Sequence, residues 1–160
     1  MSGDHSHEHE HDHSGFHDQF HQKLHHILGE NVDSGTAQTS GMRRYAAISG
    51  DSVGSRNLWM GQTHVDAGVA SANHHHGESE TAIYIASGTP EFVFLDEDDD
   101  GQPFERRFTT KPGDYIYVPP FVPHREENPS PDTEAVVVIS RTTQEAIVVN
   151  LDSLSDTTRE

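Results

Sequence analysis

From Met42 to Leu151 the chain repeats one pattern, in which short apolar runs with polar residues at alternate positions are separated by clusters of Gly, Pro, Asp and Ser. The runs read RYAAI, NLWMGQTHV, TAIYIAS, EFVFL, RRFTT, DYIYV, AVVVIS and AIVVNL. A period of two marks a strand with one buried face. So many short strands in succession predict an all-β sandwich or barrel. The segment DEDDDG, Asp96 to Gly101, falls between two of the runs and predicts a hairpin tip. It lacks the ligand spacing of a calcium loop. Ahead of the strands Phe16, Phe20, Leu24, Ile27 and Leu28 recur at helical spacing, which predicts a short amphipathic helix begun by Ser14 and closed by Gly29. Tyr84, Phe92, Phe94, Tyr115, Tyr117 and Phe121 lie in or beside the strands and are expected to fill the core.

The pattern divides the chain into residues 1–30, a His-rich acidic tail carrying the short helix, and residues 31–160, one β-barrel domain with its core at about 42–150. Nine of the fourteen histidines fall in the tail, where His5, His7, His9, His11 and His13 alternate with Ser, Glu and Asp. That stretch is too polar to pack a core and is expected to be disordered.

Composition narrows the chemistry. Across 160 residues there is no cysteine, so a metal site here must be built from nitrogen and oxygen ligands. The net charge is −17, most of it beyond residue 30, and only Lys23 and Lys111 are lysines. Nucleic acid is thereby a poor partner. Many carboxylates, few lysines and 31% hydrophobic residues resemble the composition of proteins from salt-loving organisms. No basic segment leads into an apolar run at the start, and no apolar run is long enough to span a bilayer. A cytoplasmic protein with no membrane partner is expected.

The stretch ANHHHGESETAIYIASG places three histidines directly before a strand. In extended backbone alternate side chains share a face, so His74 and His76 point together and His75 points away, exposed or behind the ligands. Two imidazoles so placed are able to hold one metal ion. Glu80 follows closely, and His124 arrives from the distant segment GDYIYVPPFVPHREEN. His64, in WMGQTHVD, points either into the barrel as an acid or base or, the commoner outcome, onto the surface. With Tyr84, Phe94 and Phe121 it is a candidate lining for a substrate pocket.

These two segments resemble the two motifs of the cupin family. Residues 68 to 88, GVASANHHHGESETAIYIASG, are similar to the first: a glycine, five residues, His-x-His, three or four residues, glutamate, six residues and glycine. Residues 113 to 128 are similar to the second, with Gly113, Pro119, His124 and Asn128 in the matching places. The resemblance implies a single jelly-roll barrel holding one divalent transition metal, whether iron, manganese, nickel, cobalt or zinc, on His74, His76, Glu80 and His124. Two departures stand out. Phe121 replaces a glycine of the second motif, and since phenylalanine resists a positive φ the turn before His124 is expected to differ. Seven residues instead of six separate Glu80 from Gly88, so Thr81 competes for the glutamate position. Glu80 then reaches the metal only if a bulge near Gly77 absorbs the extra residue.

Two functions stay open on this reading. One is a metal-dependent enzyme, oxidoreductase or dioxygenase-like, acting on a small organic substrate. The other is a non-catalytic module that binds a metal or small ligand, which the His-rich tail favours. The resemblance also implies a homodimer.

Overall fold

Alternation decides which side of each strand is buried. In β2 (Trp59–Val65) Trp59, Gly61, Thr63 and Val65 are buried, whereas Met60 is exposed and Gln62 and His64 are half-buried. The same rule runs through β4 (Thr81–Ser87), which turns Thr81, Ile83 and Ile85 inward and Ala82, Tyr84 and Ala86 outward. The computed structural model describes residues 22–156. Within them the other strands are β1 (Met42–Ile48), β3 (His74–His75), β5 (Glu91–Glu97), β6 (Pro103–Thr109), β7 (Tyr115–Val118), β8 (His124–Glu127), β9 (Ala135–Arg141) and β10 (Val149–Asn150).

The strands form two five-stranded antiparallel sheets, in the orders β1-β2-β9-β4-β7 and β10-β3-β8-β5-β6. This is the all-β jelly-roll expected from the sequence. Between the sheets Ile83, Ile85, Phe92, Val118 and Val137 pack with Ile116, Val122 and Ile139, while Met42, Val65 and Ala135 make a second cluster with Val69. Gly61 shows how closely β1 and β2 approach within their sheet. A Cβ there would lie 2.2 Å from the Tyr45 carbonyl oxygen and 2.6 Å from the Trp59 ring, so no larger residue fits.

Each of the eight expected runs contributes a strand. DEDDDG is the expected hairpin tip, closed by bonds from the Asp98 N–H to Gln102 and the Gly101 N–H to Asp98. Three expectations need correction. The expected helix lies outside the described residues up to residue 21, and over residues 22–28 no helix forms; a 3-10 turn, Gly29–Asn31, follows. Leu24 is fully exposed and Leu28 exposed, and of the stripe's described residues only Ile27 is half-buried. Among the expected core aromatics only Phe92 is buried and Phe94 half-buried; Tyr84, Tyr115, Tyr117 and Phe121 are exposed. The strand positions of the three tyrosines alternate with the inward aliphatics, and Tyr84 stacks on Tyr115 outside the sheet with ring centroids 5.0 Å apart. The third correction concerns Phe121, which adopts a φ of 62°. The turn before His124 therefore keeps the left-handed conformation that a glycine would take, at the expense of backbone strain.

Candidate metal centre

β3 and β8 are adjacent strands, and His74 pairs directly with His124 across them. The chain continues past His75 so that His76 returns to the side of His74, and Glu126 stands two residues beyond His124 on the same face of β8. One ligand atom from each of His74, His76, His124 and Glu126 can be chosen so that all lie within 4.8 Å of one another. The three imidazole centroids are 4.5 to 4.9 Å apart.

The tautomers follow from the backbone. Nδ1 of His74 lies 2.8 Å from the Ala72 carbonyl oxygen, that of His76 3.0 Å from Ile147 and that of His124 2.9 Å from Val122. A carbonyl only accepts, so each Nδ1 carries the hydrogen and each Nε2 presents a lone pair. His124 Nε2 is buried with no hydrogen-bond partner among the described residues, and Glu126 Oε1 is 4.0 Å away. A buried nitrogen without a partner costs about 1 to 3 kcal/mol, and a cation among these donors removes that penalty. Burial, aided by the neighbouring His124 and His74, lowers the pKa of His76 to about 4, and burial with His74 nearby also lowers that of His124. Both rings therefore stay neutral at pH 7, as ligands must. Three imidazoles and a carboxylate suit a divalent transition metal.

Glu80 is not brought to this cluster. Thr81 opens β4 facing inward, which turns Glu80 outward, where it accepts a 2.7 Å hydrogen bond from the Tyr117 hydroxyl. That bond raises the Tyr117 pKa. The register irregularity of β4 falls between Ile85 and Ser87, not near Gly77, so nothing re-aims Glu80. Glu126 is the carboxylate that stands beside the three imidazoles instead. Its signal was present in the sequence, since His124-x-Glu126 repeats the alternation of His74-x-His76. His75 points away from the cluster as expected but is buried, not exposed; its Nδ1 accepts the Gly77 N–H at 2.9 Å and its ring packs on Phe121.

Of the pocket candidates, His64 and Tyr84 lie on the outer face. His64 Nδ1 is 2.8 Å from Glu134, and its ring meets Tyr45 edge-on. Phe121 borders neither cavity at the cluster. Phe94 lines an apolar cavity of about 360 Å³ that reaches His124 between β5, β6 and β7. A second cavity, of about 370 Å³, is open to His74, His76 and Glu126 and is walled on the opposite sheet by Thr63, Thr81 and Arg141.

A barrel of two antiparallel sheets with a His3Glu cluster on adjacent inner strands defines the class. The cupin-domain family model matches residues 61–140, and the chain belongs to the cupin family. No curated protein matches it. Among solved structures it is similar to the oxalate decarboxylase of Bacillus subtilis. A structure addressing that enzyme's Mn(II) centres superposes with a TM-score of 0.58 at 21% identity over 72% of this chain and 29% of that one. Another, on the substrate binding mode and reaction specificity switch in oxalate decarboxylase, gives 0.58 at 24% over 72% and 30%. At this identity the likeness shows the fold, and this chain spans less than a third of those. Among the described residues no helix is long and apolar enough to cross a membrane.

Proposed function

We propose that this cupin is a metal-dependent enzyme acting on a small organic substrate, with one divalent transition metal held by His74, His76, His124 and Glu126. The observation that carries this reading is the convergence of three backbone-oriented imidazoles on a buried point where His124 Nε2 lacks a partner among the described residues. The reading thus replaces Glu80 by Glu126 in the ligand set. Such a metal, when bound, supplies a Lewis-acidic centre with coordination positions left for substrate. The chain's own part is to hold the ligands rigidly and to present the cavity beside His74 and His76. The Nδ1–H bonds fix the rings, and burial keeps His76 and His124 from competing for protons.

Within this class we favour an oxidoreductase of the oxygen-using kind, with iron or manganese as the metal. A homodimer, for which exposed Tyr115 and Tyr117 on β7 offer apolar surface, and a cytoplasmic location belong to the same reading. The test is metal analysis of protein purified without a metal column, followed by oxygen uptake with catechols, diketones and thiols. About one bound iron or manganese per chain with uptake is the expected result. Tight zinc without turnover would favour a binding module, and no metal at all would defeat the reading.

A further inference from the structure

The chain carries 27 acidic residues against 10 basic ones, so an arginine left without a carboxylate needs an explanation. Arg43, Arg106, Arg107 and Arg125 each pair with acidic side chains at the surface. Among the described residues Arg44, Arg56 and Arg141 have no carboxylate partner; Arg56 is exposed to solvent, whereas Arg44 and Arg141 line the same cavity as His74, His76 and Glu126. Arg141 comes from the end of β9, on the sheet opposite the cluster. Its guanidinium lies 3.9 Å above the Trp59 ring, with Nε donating to the Thr143 carbonyl at 3.0 Å and Nη2 to that of Gln144 at 2.8 Å. Those bonds use two of its five N–H donors and lock the plane. Arg44 is held by Thr39 Oγ1 at 2.8 Å and by the Met42 sulfur.

We propose that this cavity takes a small carboxylate-bearing substrate, with Arg141 as the residue that receives the carboxylate and so selects the substrate. The proposal deepens the enzymatic reading above and rests on it for the site. Three observations lead there. A half-buried guanidinium held rigid by carbonyls and an aromatic face still has donors on Nη1 and Nη2 in the fork geometry that suits a carboxylate. Burial and the nearby Arg44 lower the pKa of Arg141 to about 10, which leaves it charged at pH 7 in a place where an anion would relieve both effects. Thr63 Oγ1, fully buried and on the cavity wall, has no hydrogen-bond partner among the described residues. Glu126 is the one carboxylate among the lining residues, and it belongs to the ligand cluster. With a divalent ion bound there, the cavity carries net positive charge inside a strongly acidic chain. Ile139 and Ile147 on the walls offer an apolar body something to pack against.

The experiment is calorimetric titration of the full-length protein, metal-free and Mn(II)-loaded, with benzoate and with its neutral counterpart benzamide. Benzoate is expected to bind at least about 10-fold more tightly than benzamide in both forms, since a charge-assisted pair is worth about a factor of ten or more. Arg141→Gln should erase that preference, and Arg141→Lys, which keeps the charge but loses the fork, should weaken benzoate about 10-fold. If Arg141→Gln does not fold, the lysine variant and Arg44→Gln, expected to weaken benzoate about 3-fold, carry the comparison. Equal binding of the two probes by the wild type overturns the proposal, as does unchanged benzoate affinity in a folded Arg141 variant. Failure to bind Mn(II) would count against the metal reading alone, because an Arg141-dependent preference in the metal-free protein would still support this one.

Discussion

His74, His76 and His124 each offer a nitrogen whose partner nitrogen is fixed by a backbone carbonyl, and Glu126 offers the carboxylate beside them. Alanine at any of the three histidines should lower metal affinity by at least about 100-fold, since even the hydrogen-bond partners of ligands are worth about 10- to 100-fold. Glu126→Gln should follow the histidines, whereas Glu80→Gln should leave affinity within about 3-fold and lose only the bond to Tyr117. Metal titration of the five variants checks this, and a dominant effect at Glu80 would sink the ligand set. A pH dependence follows from His76. Its folded pKa of about 4 lies below the unfolded value of 6.5, so the unfolded chain takes up the proton first. The stability that neutral His76 contributes to the metal-free protein is therefore complete above pH 6.5 and is lost as the pH falls through 4. Between those values the wild type should lose on the order of 1 to 3 kcal/mol relative to His76→Gln, measured by urea unfolding at each pH.

The elements that position the site are held by their turns. The loop after β3 meets the loop before β8 where the Phe121 N–H donates to the Gly77 carbonyl at 2.8 Å. This bond needs the left-handed Phe121, whose φ of 62° is the one positive value at a non-glycine among the described residues. Its exposed ring gains contact with His75, which offsets part of the strain. Phe121→Gly is expected to keep stability within about 0.5 kcal/mol, losing the ring but releasing the strain. Phe121→Val should destabilise by about 1 to 2 kcal/mol, because a β-branched residue resists this region most. Thermal unfolding decides, and a valine variant as stable as the wild type would remove the strain argument. Buried Asn128 performs a comparable task after β8, its Nδ2 donating to Val65 at 3.0 Å and to Thr133 at 2.8 Å. That motif position is structural.

At the scale of the whole molecule two electrostatic effects oppose each other. The outer side of β5, β6 and β8 carries ion pairs joining Arg107 and Arg125 to Glu91, Glu105 and Glu127, which salt weakens. Against them stands the repulsion of a net charge of −17, which salt relieves. Exposed pairs are worth about 0 to 1 kcal/mol each, so repulsion should dominate. We propose on this ground that the protein is salt-adapted. Its melting temperature should rise by about 5 to 10 °C between 0.01 M and 1 M salt, as the Debye length falls from about 30 to about 3 Å. A melting temperature that falls over this range would mean that the ion pairs outweigh the repulsion.

The sequence by itself determined eight of the ten described strands, because a period of two is a local property that neighbouring residues settle among themselves. The other two, β3 and β8, are two and four residues long, too short and polar to show it. It also brought out His74, His76 and His124, since two spaced motifs are readable without knowing how they meet. Tertiary structure alone decided the fourth member of the cluster. Glu80 and Glu126 are equally acidic in the sequence, and what separates them is that Thr81 enters β4 facing inward while Glu126 shares a strand face with His124. Only the fold placed the tyrosines outside, because aromatic residues suit either face of a sheet and the aliphatics already filled the space between the layers. The pairing of Arg141 with the cavity was likewise invisible along the chain. An arginine at a strand end reads as surface charge until the opposite sheet closes over it, and that closure is set by contacts between residues far apart in sequence.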